Sequence, residues 1–210
     1  MGELKIGSIA LGMYQTNCYF VFDSESMNAI VFDPADSGDY IFDFLKEKGI
    51  SVSAIVLTHG HFDHIYGVKE LKAKTGVMVY AHEDEADVLS SVKLNCSASV
   101  GRAETIEPDV LIKDGDCIFE GGMSFKVIHT PGHTHGSACY YFEKAKILVA
   151  GDTLFSCSVG RTDLPTGSMS TLVRSIKDKL MILPDDVKVY PGHGDSTTIG
   201  YERMNNPFID

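Results

Sequence analysis

The sequence predicts an α+β domain in which two β-sheets pack face to face with helices on the outside. Two observations carry this expectation. In the first half, short apolar runs of strand length alternate with helical periodicities; after Val110 the pattern becomes closely spaced strands divided by tight turns, before helices return. Strands with helices in both halves leave two sheet faces to cover, and stacking the sheets with helices outside covers them.

The elements follow in order. Tyr19 to Phe22 and Ala29 to Phe32 are strand-like runs, and a helix opens near Ser37, where Tyr40, Ile41, Phe44 and Leu45 recur at helical spacing until Gly49 stops it. Ala54-Ile55-Val56-Leu57 reads as a buried strand leading into a polar loop. A second helix runs from about Ile65 to Lys74 and closes at Gly76. Val77 to Tyr80 is a strand and Glu83 to Ser90 a short helix, while Lys93 to Glu107 has little periodicity and reads as a loop lining a pocket. In the β-rich half, Cys117 to Phe119, Ser124 to Ile128, Ala138 to Phe142 and Ile147 to Ala150 are separated by turns at Gly121-Gly122 and Glu143-Lys144, which implies antiparallel hairpins. A helix from about Ser170 to Met181, a strand Val187 to Tyr190 and a helix near Thr198 to Met204 complete the chain.

Composition narrows what such a domain does. The 210 residues, 44% hydrophobic and 22% charged, fit one globular domain, and no linker-like or low-complexity tract divides positions 1–210. A formal net charge of −11 argues against a nucleic-acid backbone or an anionic membrane as partner, since both need a basic face. No run approaches a membrane span and the N-terminus lacks a signal-peptide core. Five scattered cysteines fit reduced thiols, so a cytoplasmic protein is expected.

The chemistry is concentrated in histidine, aspartate and glycine. Thr58-His59-Gly60-His61-Phe62-Asp63-His64 packs three imidazoles and a carboxylate into one loop directly after a strand. His59 and His61, two apart on an extended segment, point to the same side; Asp63 and His64 follow at the turn into a helix, where they can face a second ion. Similar short runs follow the later strands: Pro131-Gly132-His133, Gly151-Asp152-Thr153 and Pro191-Gly192-His193-Gly194. Strand ends along one sheet edge lie close in space, so these residues can converge on one pocket. The carboxylate of Asp152 has two oxygens and can bridge two cations, which one imidazole cannot. His82, His129 and His135 fit structural or supporting roles instead.

These motifs, with an early Asp33-Pro34 after a strand, resemble the metallo-β-lactamase-fold hydrolases and, within them, the glyoxalase II-like (hydroxyacylglutathione hydrolase-like) group, in its short single-domain bacterial form. The resemblance spans most of the chain and implies an αββα sandwich with the site at one edge. It assigns His59, His61 and His133 to one divalent metal, Asp63, His64 and His193 to another, and Asp152 to both. Nitrogen and oxygen donors suit zinc in the first place, with iron or manganese as alternatives. The implied chemistry is hydrolysis of a small-molecule thioester or ester by a water that the ions acidify, with Asp63 and Asp152 as the catalytic carboxylates. The chain ends at Asp210, without the C-terminal helical domain that helps clamp glutathione in glyoxalase II, so weaker and broader substrate recognition is expected. Arg161, in Gly160-Arg161-Thr162-Asp163, can grip a substrate carboxylate or brace the loop by pairing with Asp163. Two alternatives share the fold: a mononuclear iron persulfide dioxygenase and a lactonase. Oligomeric state is not encoded in any motif.

Overall fold

A computed structural model of the chain describes residues 2–209. The first sheet has six strands in the order β1 (Leu4–Leu11), β2 (Thr16–Asp23), β3 (Asn28–Phe32), β4 (Ser51–Val56), β5 (Val79–His82) and β6 (Val110–Ile112). Pairing is antiparallel through β1, β2 and β3 and parallel from β3 to β6. The second sheet is built from β7 (Cys117–Glu120), β8 (Met123–His129), β9 (Ala138–Phe142), β10 (Ile147–Gly151), β13 (Lys188–Pro191) and β14 (Thr197–Thr198), in the spatial order β14-β13-β10-β9-β8-β7. A small hairpin of β11 (Leu154–Phe155) and β12 (Ser158–Val159) lies between β10 and β13 in sequence.

Three apolar layers hold the sandwich together, and strand alternation assigns residues to them. Val21, Ile30, Phe32 and Val56 of the first sheet meet Phe125, Val127, Tyr140 and Val149 of the second. The intervening residues Phe20, Val31 and Ile55 face the other way and pack against α1 (Gly38–Glu47) and α3 (Val68–Thr75) through Ile41, Leu45 and Leu71. The outer face of the second sheet, including Leu148 and Val189, packs on α5 (Met169–Ser175) and α6 (Ile199–Asn205) through Leu172 and Ile199. Helix, sheet, sheet, helix is the expected αββα order. No helix among the described residues is long and apolar enough to cross a membrane.

Some elements differ from the sequence expectation, for physical reasons. β1 goes unpredicted because its apolar residues change face partway: Leu4 and Ile6 pack toward the inter-sheet layer, Ile9 and Leu11 toward the helices. The helix expected from Ile65 is two pieces, α2 (Phe62–Ile65) and α3, broken at Gly67. A side chain at Gly67 would come within 2.9 Å of the Pro34 and Asp36 carbonyl oxygens. α4 (Ala86–Ser90) follows a 3₁₀ turn, Glu83–Glu85, and the helix expected to Met181 is α5 continued by a wide π-type turn, Ile176–Leu180.

Two cross-sheet hydrogen bonds set the geometry of the site edge. The buried Tyr140 hydroxyl donates to the Leu57 carbonyl at 2.6 Å, and the Ala138 amide donates to the Thr58 carbonyl at 2.9 Å. The C-terminal end of β4 is thereby tied to the opposite sheet just where the histidine loop leaves it.

Candidate metal centre

The loops after β3, β4, β8, β10 and β13 all open on the same edge, because β3 and β4 run parallel, as do β10 and β13. Asp33 follows β3, the His59–His64 run follows β4, and Asp152 and His193 follow β10 and β13. His133 lies beyond β8 in a loop anchored by the Thr130–Ser137 backbone bond.

The seven predicted ligands form two adjoining groups. His61 Nδ1 lies 2.9 Å from His133 Nε2, which lies 3.2 Å from His59 Nε2, so three imidazole nitrogens converge on one point. A tetrahedral ion with nitrogen ligands at about 2.0–2.1 Å spaces them about 3.3 Å apart, close to what is seen. In the second group, Asp63 Oδ2 lies 3.3 Å from His193 Nε2 and 3.7 Å from His64 Nε2. Asp152 stands between them: Oδ1 is 3.5 Å from His64 Nε2, while Oδ2 is 3.6 Å from both His133 Nε2 and His193 Nε2.

Unmet hydrogen-bonding capacity supports cation binding. His64 Nε2 and Asp152 Oδ1 are buried without a partner, and both face the site; His61 Nε2, on the far edge of its ring, also lacks one. The backbone makes room for this cluster. A Cβ on Gly192 would stand 2.3 Å from Asp152 Oδ1 and 2.7 Å from His64 Cε1. Gly151 adopts φ 47° and approaches the Thr58 hydroxyl so closely that a Cβ would stand 2.3 Å from it.

Behind the ligand atoms, a shell of acceptors orients the rings. His64 Nδ1 is 2.9 Å from Asp33 Oδ2, and the carboxylate of Asp33 also accepts from the Thr58 amide (2.7 Å) and hydroxyl (2.6 Å). His133 Nδ1 donates to the Arg161 carbonyl at 2.7 Å, and His193 Nδ1 to the Tyr14 carbonyl at 3.2 Å. His59 Nδ1 sits 3.1 Å from the Thr58 hydroxyl, and Asp63 Oδ2 accepts from the Thr16 hydroxyl at 3.0 Å. With Nδ1 of His59, His64, His133 and His193 so occupied, Nε2 of each is left to face the site.

The two groups differ in charge preference. Burial, reinforced by neighbouring imidazoles, holds His59 far below the ordinary histidine range and His61 down to about 3. Burial also lowers His133, against the pull of Asp152. For His64 burial works in the same direction but is outweighed by Asp152, Asp63 and Asp33, which raise it well above normal; for His193 burial is outweighed by Asp63 and Asp152. Burial would raise Asp63, yet His64 and His193 bring it to about 2, and the same imidazoles with His133 hold Asp152 well below the usual carboxylate range.

Arg161 is placed differently from the other predicted site residues. Its guanidinium forms a bidentate pair with exposed Asp163, both bonds 2.8 Å, so the backbone carbonyl is what reaches the metal centre. His82 and His129 stack with ring centroids 3.9 Å apart, and His129 Nε2 donates to the His135 carbonyl. With Asp84 they bring donor atoms within 4.8 Å of one another, but the near-parallel stacking and the engagement of His129 Nε2 with a carbonyl make a poorer geometry for one ion than the convergent rings of the main centre.

One functional residue, Glu85, escaped the sequence reading. Fully buried, it accepts from the Gly60 amide at 2.7 Å and the Thr134 hydroxyl at 2.8 Å, and the Gly136 amide also donates to it. It therefore clamps the loop carrying His59 and His61 to the loop carrying His133. Burial pushes it up to about 7 even though these donors oppose the shift. Nothing in Glu83-Asp84-Glu85 distinguishes the one inward carboxylate from its exposed neighbours.

Comparison with known proteins agrees with this architecture. The profile of the Metallo-beta-lactamase superfamily matches residues 11–193. The chain is similar to the "Probable metallo-hydrolase YqgX" of Bacillus subtilis, 37% identical over 99% of this chain and 98% of that protein. It is also similar to the "Hydroxyacylglutathione hydrolase GloC" of Haemophilus influenzae, 32% identical over 99% of each. Among solved structures, the BLEG-1 B3 metallo-beta-lactamase superposes with a TM-score of 0.93 at 39% identity, covering 98% of this chain and 99% of that one. TTHA1623 in a di-iron-bound form gives 0.87 at 34% identity, covering 96% and 99%. The chain belongs to the metallo-beta-lactamase superfamily and is a metal-dependent hydrolase of it.

Proposed function

We propose that the chain is a binuclear hydrolase of thioesters, of the hydroxyacylglutathione type, or of related esters. The carrying observation is Asp152, whose two oxygens reach the three-histidine group and the Asp63–His64–His193 group at once. One carboxylate shared by two complete ligand sets suits a pair of ions better than one. The activity named for GloC and the di-iron form of TTHA1623 support the reading. The donors are all nitrogen and oxygen, suited to zinc, iron or manganese.

When bound, such ions acidify a water and polarise the substrate carbonyl. The protein's part is positioning. Asp33 keeps the proton of His64 on Nδ1, and the Tyr14 carbonyl does the same for His193. Asp63, ionised through its imidazole neighbours and held by Thr16, has its oxygens beside the site, where one can accept a hydrogen bond from the attacking water. Attack on the carbonyl breaks the acyl–sulfur or acyl–oxygen bond, leaving a carboxylic acid and a thiol or alcohol. A cytoplasmic enzyme acting on a small molecule, with no nucleic-acid or membrane partner, fits the net charge of −11.

Elemental analysis with turnover assays on S-lactoylglutathione, a simple lactone and glutathione persulfide tests this. The expectation is two metal equivalents per chain and chelator-sensitive hydrolysis of the thioester. One iron per chain with oxygen uptake on the persulfide would overturn it in favour of a dioxygenase, and activity confined to the lactone would reassign the substrate.

A further inference from the structure

A pocket of about 400 Å³ opens beside the metal centre, with Asp63 in its wall. It is lined by Met13 and Tyr14 from the turn between β1 and β2, by Phe62 at the start of α2 and Tyr66 just beyond its end, and by Val100 and Arg102 from the loop after α4. The aromatic rings are in mutual contact: Tyr14 meets Phe62 edge-on at 5.3 Å between centroids, and Phe62 meets Tyr66 at 5.7 Å. Met13 is 92% exposed and Tyr14 51%, so two adjacent side chains of largely apolar surface stand at the pocket in reach of a ligand. The turn is fixed relative to the metal centre, because the Tyr14 carbonyl holds His193.

The charges here are already satisfied. Arg102 is the only cationic residue among those described as lining the pocket. One of its terminal nitrogens lies 3.1 Å from each oxygen of Asp36, and its guanidinium stacks 4.0 Å above the Tyr66 ring. Arg161, whose carbonyl meets His133, is likewise taken by Asp163. Asp36 and Arg102 cancel one another, and Asp63 is committed to the metal centre, so the wall offers no free charge of its own. Glutathione carries two carboxylates and one ammonium, and this pocket offers those carboxylates no unpaired cation.

We propose that this pocket receives an uncharged aromatic or aliphatic thiol, or alcohol, as the leaving side of the substrate, and that Asp36 sets this specificity by neutralising Arg102. The inference rests on the thioester-hydrolase reading above and refines its substrate, replacing glutathione by an uncharged thiol as the preferred leaving group. The reaction is balanced by water alone: its oxygen ends in the carboxylic acid, the acyl–sulfur bond breaks, and the neutral thiol departs.

The test compares S-lactoyl benzylthiol with S-lactoylglutathione, which share the acyl group and differ only in the thiol. The expected result is a kcat/KM at least about tenfold higher for the benzyl thioester, the scale on which apolar pockets discriminate. Asp36→Asn, which frees Arg102, is expected to shift the ratio toward the glutathione thioester, and Met13→Ser, at an exposed position, to lower turnover of the benzyl thioester alone. Equal or better turnover of the glutathione thioester, or an Asp36→Asn ratio unchanged from wild type, would overturn the proposal. If neither thioester is hydrolysed, the thioesterase reading fails, while NMR titration of the metal-free protein still tests the pocket: benzyl alcohol is expected to shift Phe62 and Tyr66 resonances and glutathione to leave them in place. Shifts from glutathione alone would refute the pocket's chemistry.

Discussion

Replacing Asp33 by asparagine isolates one hydrogen at the metal centre. Asp33 has φ 48°, a left-handed conformation in which asparagine is among the most tolerated residues, so the backbone supplies no confounding strain. Oδ1 of the side chain can keep its bond from the Thr58 amide. The change falls on Oδ2, where an NH₂ would then face both the Thr58 hydroxyl and His64 Nδ1. The hydroxyl can rotate and accept, but His64 must either oppose N–H to N–H or move its proton to Nε2, where it points at the metal position. Loss of such an orienting partner costs about 10–100-fold in metal affinity, or about 1.4–2.7 kcal/mol. Chelator competition with zinc should show one equivalent weakened by this factor and the three-histidine equivalent held near wild type. Asp33→Asn protein that binds both equivalents with unchanged affinity would refute the claim that Asp33 acts through the His64 tautomer.

Further expectations concern pH and packing. Without metal, His64 and His193 favour protonation, so an ion at their group displaces protons and its affinity falls as pH falls, whereas His59, His61 and His133 are poised neutral. Equilibrium dialysis between pH 8 and 6 should lose one equivalent first; parallel loss of both would contradict this ordering. Glu85, an acid raised to about 7 by burial, takes up protons on folding, so its contribution favours the fold below its unfolded value near 4.5 and disappears as pH rises through about 7. Metal-free Glu85→Gln should therefore gain Tm relative to wild type between pH 5 and 8, superimposed on a constant cost from presenting an NH₂ to donor partners; parallel curves would exclude this linkage. Leu45→Ala on α1 removes a fully buried side chain behind the first sheet, and about 2–5 kcal/mol of stability should go without a change in metal stoichiometry, as denaturant melts and dialysis can show.

Much of this protein was legible in local pattern. The strands β2, β3, β8, β9 and β10 each present a continuous or alternating apolar run, and their turns carry glycine or paired polar residues. The ligand motifs stood out because histidine and aspartate directly after apolar runs have few other uses. The illegible parts have identifiable causes. The apolar positions of β1 switch faces, which erases the alternation by which a half-buried edge strand is recognised. Gly67 breaks a helix because two carbonyls from a distant loop approach it, a contact no window of sequence contains. The inward carboxylate of Glu85 sits among exposed acids of identical chemistry.

What the sequence alone determined is the donor set and the order of the elements, since both depend on residue type and short-range spacing: three histidines and an aspartate after β4, then His133, Asp152 and His193 after later strands. Only the tertiary structure decided the distances at which those donors meet around Asp152, which nitrogen of each ring faces inward, and that Arg102 and Arg161 are already paired with aspartates. These depend on distances between loops brought together by two sheets, and electrostatic and hydrogen-bond energies change over an ångström or two, a scale that residue order does not specify.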